Sequence, residues 1–182
     1  MAQEVLFITK DDIVRYTALN GNVDVDKYLQ FIQYAQDSDV QVLLGTKLYE
    51  RLKTDIRNNT LAEPYLSLLN DKIKPIVVHY SMVQFLAYAP YTIGNKGIYK
   101  GTSEVGQVVP ADEVAMLIEK CRSLAEHYSQ RFIDFMCFNN NLFPEYNANT
   151  NDDVYPTTNN DFGGWVIWKT ITHQNFKISK NF

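Results

Sequence analysis

The sequence predicts a mainly α fold: a compact multi-helix bundle carrying a Gly-rich loop or β-hairpin and an extended, β-prone C-terminal arm. Three observations carry this. Apolar residues recur at three- and four-residue steps through most of the first 139 positions. The periodicity fails between Pro90 and Pro110, in YTIGNKGIYKGTSEVGQVVP. Composition then changes after the last periodic segment, first to the Asn-rich NNNLFPEYNANTNDDVYPTTNND and then to the aromatic GGWVIWKTITHQNFKISKNF. The expected organisation is a helical domain over 1–139, a linker over 140–161 and an arm over 162–182.

Each element has a local reason. Thr9 with Asp12 three residues on is an N-cap followed by a first-turn acid, and Ile13, Val14, Tyr16 and Ala18 follow in a short helix. Asn20-Gly21-Asn22 breaks it. A second helix starts at Asp24 or Asp26 and carries Val25, Leu29, Ile32 and Ala35, then Val42, Leu43 and Leu44, to Gly45. In LLGTKLYERL, Gly45 is expected to take a left-handed C′ conformation and Thr46 to cap the next helix, whose stripe is Leu48, Leu52 and Ile56. Asn58-Asn59 stop that helix, and Glu63-Pro64 open a short one through Leu66 and Leu69.

Pro75 fits a first helical turn ahead of IVVHYSMVQFLAYAPY, which is apolar on nearly every face and therefore the expected central buried helix. The longest helix runs from Pro110 or Ala111 to Phe138, with Val114, Leu117, Ile118, Cys121, Leu124, Tyr128, Phe132 and Met136 as its core face. In the arm, Trp165 to Thr172 is rich in β-branched and aromatic residues and reads as a strand. Both faces are apolar near Trp165 to Trp168, so it should add to an edge or bury itself in a groove. Either it folds back onto the body or it reaches another chain.

Composition narrows the function. The formal net charge of −4 and the scatter of Lys and Arg along helices argue against tight nucleic-acid binding, which needs clustered bases. No apolar run approaches the ~20 residues of a membrane span, so no membrane partner is expected. Cys121 and Cys137 read as reduced core thiols of an intracellular protein.

Chemistry is sparse. His79, His127 and His173 stand on different segments without a second ligand at metal spacing, since Glu126 is adjacent to His127 rather than a helical turn away. The glycine loop lacks the Gly-Lys-Ser/Thr that opens a helix in phosphate loops. Neither cysteine follows the Gly-rich turn that exposes a nucleophile. The expectation is a non-enzyme with no catalytic residues, no metal and no cofactor. Aromatics are the anomaly, with twelve Tyr and ten Phe, and both Trp in the arm. Tyr and Trp anchor interfaces because they bury area at little rotamer cost. The candidate interface residues are therefore Phe162, Trp165, Ile167, Trp168, Ile171 and Phe176 in the arm, with Tyr91 and Tyr99 in the Gly-rich region.

The segments ITKDDIVRYTALNGNVD, VQVLLGTKLYERL and KPIVVHYSMVQFLAYAPY, the Gly-rich loop and the final long helix, together residues 7 to 143, resemble head-tail connector proteins of tailed bacteriophages. Within these they resemble the Bacteroidetes-infecting, crAss-like group. The resemblance implies a structural virion protein, a helical adaptor without an active site that forms a ring, commonly of twelve subunits, under the portal. It implies contacts with portal on one side and the next tail or ring component on the other, and DNA that passes through without specific binding. The protein would be made in the host cytoplasm and end in the virion neck. The arm lies outside the resemblance. An alternative of a different class is a monomeric helical regulatory or inhibitor module whose tail packs on its own body.

Overall fold

The computed structural model describes residues 4–17, 25–94, 97–100, 109–148 and 154–158, with backbone alone for 25–27, 92–94 and 97–100. It is mainly helical and has one contiguous core. Helix α1 spans Lys10–Tyr16 and opens with a capping box: the Asp12 amide donates to Thr9 Oγ1 at 3.4 Å, and the Thr9 amide donates to the Asp12 carboxylate at 2.9 Å. Ahead of it, Val5, Phe7 and Ile8 are buried.

Helix α2 (Val25–Ala35) runs through a π turn, Gln36–Val40, into α3 (Gln41–Leu44). The wider turn lets both Gln36 and Val40 point inward. Gln36 is fully buried and its amide works as a surrogate strand: it accepts from the Phe7 N–H at 2.6 Å and donates to the Val5 carbonyl at 3.1 Å. Two backbone groups that burial would otherwise orphan are thereby paired.

Gly45 separates α3 from α4 (Thr46–Asn58). Its φ of 74° and ψ of 157° are open only to glycine, and they differ from the left-handed helical cap expected from the sequence. Thr46 does not cap α4 either, because its hydroxyl accepts from the Val154 amide at 3.0 Å. The C-terminus of α4 has the left-handed residue instead, Asn59 at φ 54°.

Helix α5 (Tyr65–Leu68) continues through a second π turn, Leu69–Ile73, into α6 (Lys74–Tyr88). The π turn ends just before Pro75, where a proline ring clashes with the carbonyl four residues back in a regular helix. Every residue from Pro75 to Val83 is buried, so α6 is the central helix as its composition demands. Strands β1 (Tyr91–Gly94) and β2 (Gly97–Lys100) pair antiparallel, with Tyr91 opposite Lys100 and Thr92 opposite Tyr99.

Helix α7 (Ala111–Asn139) lies along α6 and leads through a 3₁₀ turn, Asn140–Leu142, to α8 (Pro144–Asn147). Residues 140–148, expected as the start of a linker, belong to the body. Phe143 and Tyr146 are buried in the core, the former edge-on to Tyr65 at 5.4 Å. Polar neighbours concealed these two apolar anchors in an Asn-rich stretch.

Residues 154–158 form a strap across the α3–α4 junction. The Thr46 amide donates to the Val154 carbonyl at 3.1 Å, and the Thr157 amide donates to the Val42 carbonyl at 2.9 Å. The strap thus satisfies end groups that a helix break leaves unpaired.

Candidate interaction surfaces

The surface begins with the register between the two longest helices. The His79 ring stacks on Tyr128 with centroids 5.5 Å apart and planes 6° from parallel, and Lys72 Nζ sits over the Phe135 ring at 5.1 Å. Residue numbers rise along α6 as they fall along α7, so the helices are antiparallel. The last residue of α6, Tyr88, then comes level with about residue 119 of α7, and roughly two helical turns of α7 run beyond it.

That overshoot changes the meaning of the α7 stripe. Its buried residues are Ala125, Ser129, Phe132, Ile133 and Met136, all in the second half. The expected core residues Leu117 and Leu124 are 45% and 40% exposed, while Val114, Ile118 and Cys121 are half-buried. Met116 is 66% exposed. The apolar periodicity is real along the whole helix, but among the described residues the body buries only the second half, which packs along α6. Val109, just ahead of this end in the chain, is also exposed, as are Tyr88 at the end of α6 and Tyr91 at the start of β1.

Of the residues singled out by the sequence, Tyr91 is exposed at the start of β1. Tyr99 stands in β2 opposite Thr92, and its side chain lies outside the described residues. Phe162, Trp165, Ile167, Trp168, Ile171 and Phe176 also lie outside the described residues. Tyr28 is a core residue whose hydroxyl meets Ser81 Oγ at 2.9 Å, and burial pushes its pKa up.

The polar groups of the body are mostly structural. Asp55 is buried and accepts from Arg51 Nε at 2.8 Å, and Tyr65 donates to Glu145 at 2.5 Å, which ties α8 to the start of α5. Burial and then the Glu145 carboxylate push the Tyr65 pKa up to about 12. His79 is held below the ordinary histidine range by burial alone. Burial likewise raises the Cys121 thiol, whereas Cys137, expected in the core, is exposed because it falls on the outer face of α7.

An open hollow of about 430 Å³ lies on α2, lined by Gln30, Gln33, Tyr34, Asp37 and Ser38. Its carboxylate is engaged, since Tyr49 donates to Asp37 at 2.6 Å. Among the described residues no group of three or more His, Cys, Asp or Glu is placed to hold a metal, and no helix is long and apolar enough to cross a membrane.

The sequence pattern of one known family matches residues 40–155. The chain belongs to DUF6712, a family of unknown function. The DUF6712 match starts at the end of the first π turn and stops inside the strap, so it takes in α3 to α8 and both partners of the Thr46–Val154 contacts. It leaves out α1, α2 and the C-terminal segment after the strap. No curated protein and no solved structure is significantly similar to the chain.

Proposed function

We propose that this DUF6712 protein is a structural virion component, a head-tail connector that forms a ring between the portal and the tail of a bacteriophage. The reading rests on the resemblance of residues 7 to 143 to connectors of the crAss-like group. The structural observation that supports it is apolar surface unpartnered among the described residues, above all the first half of α7 with Met116, Leu117 and Leu124 exposed. A helix that carries its apolar stripe past its own body is suited to contacts between subunits.

In this reading the protein is not an enzyme and needs no cofactor. Its partners are copies of itself in a ring, twelve in the count that the resemblance implies, the portal, and the next tail or ring component. DNA passes through the ring without specific binding. Residues 162–182 act as an extended arm with a strand centred on Trp165 to Thr172, anchored on a neighbouring subunit or another virion protein by Phe162, Trp165, Ile167, Trp168, Ile171 and Phe176. Tyr91 and Tyr99 contribute from the β1–β2 hairpin. The protein is made in the host cytoplasm and resides in the virion neck.

Co-expression with the portal of the same virus, followed by electron microscopy of the purified complex, tests the reading. A ring of this chain on the portal is the expected result, and loss of the ring on deletion of residues after Asp161 is expected of the arm. A full-length chain that ignores portal would overturn it.

A second reading has one observation in its favour. The strap at 154–158 folds back on its own body, as it would in a monomeric regulatory or inhibitor module with a self-packed tail. Sedimentation combined with protease sensitivity of residues 140–161 separates the two readings.

A further inference from the structure

The exposed apolar stripe in the first half of α7 has a measurable length, a charge and a counterpart elsewhere in this chain. Val114, Leu117, Ile118, Cys121 and Leu124 extend along about 15 Å of helix. The overshooting turns from Ala111 to Glu119 contain Asp112, Glu113 and Glu119 and no base. Lys120 and Arg122 follow, and Arg122 Nε is turned to Glu119 at 3.6 Å. The stripe is therefore apolar with an acidic approach.

Residues 162–182 have the opposite character. They contain Lys169, Lys177 and Lys180 and no carboxylate side chain, so of the formal −4 they carry +3 and residues 1–161 carry −7. One face of the strand-patterned run, Trp165, Ile167, Lys169 and Ile171, covers about 20 Å at ~3.3 Å per residue, enough to span the stripe. A largely apolar face of sufficient length and charges of opposite sign are what a docking strand and its seat require.

We infer that the exposed stripe of α7, centred on Leu117 and Leu124, is the seat for residues 162–182 of a second copy of this chain. The inference rests on the connector reading in taking the segment from another copy. The seat orders neighbouring subunits by their tails, and the acidic turns at the start of α7 select the basic segment over the rest of the body, which is itself acidic.

Trp165 and Trp168 are the two tryptophans of the chain, so tryptophan emission of the full-length protein reads this segment alone. Raising the protein concentration is expected to shift the emission to the blue and protect it from acrylamide. Leu117→Asp with Leu124→Asp is expected to weaken that transition at least tenfold, equivalent to about 1.4 kcal/mol. Phe138→Asp, at an 87% exposed position on the far end of the same helix, is expected to leave it unchanged. Emission that is indifferent to the stripe substitutions would overturn the proposal.

A second experiment does not depend on those charge variants. Ile167→Cys in a Cys137→Ser background, mildly oxidised, is expected to link to Cys121 as a disulfide-bonded dimer. A bond formed within one chain, or none, overturns exchange between copies. Portal binding by the full-length chain is read separately, so the connector reading can stand where this one fails.

Discussion

Thr157 donates its backbone amide to the Val42 carbonyl at 2.9 Å, and its hydroxyl reaches the same oxygen at 3.1 Å. Val42 is one turn from the Gly45 break, so the pair closes a helix end with a segment 115 residues later in the chain. Thr157→Pro removes both the amide and the hydroxyl donor. A neutral hydrogen bond contributes about 1 kcal/mol, so local opening of the strap should rise roughly 5- to 30-fold. Hydrogen exchange of the Thr46 amide, which donates to the Val154 carbonyl, measures it under native conditions, and an unchanged exchange rate would show that the other contacts suffice.

Gln36 makes a stronger prediction. Gln36→Met leaves the Phe7 N–H and the Val5 carbonyl buried and unpaired, at about 1–3 kcal/mol each. For a chain of this size that corresponds to a fall in Tm of several degrees, at roughly 2–4 °C per kcal/mol. Thermal unfolding followed by circular dichroism reads it.

His79 gives the fold a pH dependence. Burial lowers its pKa, so the folded state favours the neutral ring. The associated stability is fully present above the ordinary value of about 6.5 and is lost as pH falls through the depressed folded value. His79→Phe should therefore flatten the fall of Tm with acidification below about pH 6.5. An unchanged slope would assign the dependence to other groups.

Asp12 acts lower on the pH scale. Burial would raise its pKa, but the Thr9 amide and Lys74 outweigh burial and leave it lowered. Lys74 Nζ is 3.1 Å away, and both side chains are largely buried. Stability from this group is present above the unfolded value of about 3.9 and disappears as pH falls through the lower folded value. Asp12→Ala is expected to cost about 1 kcal/mol at neutral pH and little near pH 2, as measured by urea unfolding at both.

Two positions on α7 should respond very differently to truncation. Phe132→Ala removes a fully buried ring and should cost about 3–5 kcal/mol. Leu117→Ala, at a 45% exposed site past the end of α6, should cost less than about 1 kcal/mol in a dilute preparation. Equal costs would mean that Leu117 is covered within one copy.

Much of the helical body is legible in sequence because its signals are local. Thr9 and Asp12 announce α1 through a capping box that involves only four residues, and the all-apolar run after Pro75 announces a buried helix. The failures share a different origin. Thr46 looks like an N-cap, but its hydroxyl is taken by Val154, a partner 108 residues away. Gln36 looks like a surface residue of an amphipathic helix until the π turn swings it onto the N-terminal segment. Phe143 and Tyr146 are two anchors among asparagines, too few to establish a period. On α7 the period predicts which face is apolar and says nothing about how far neighbouring helices extend to cover it. Of the candidate site, Tyr91 is exposed at the start of β1, and the rest of that set lies beyond the described backbone or side chains.

The strap has a consequence for whatever the C-terminal segment meets. Thr157 is bonded to Val42, and a chain spans at most about 3.3–3.6 Å per residue, so Trp165 cannot lie more than about 29 Å from that point. The α3–α4 junction is thus the centre of a search volume with a hard outer radius. A surface beyond that radius is out of reach of Trp165 whatever its affinity, and moving the anchor by lengthening residues 159–164 would change which surfaces compete.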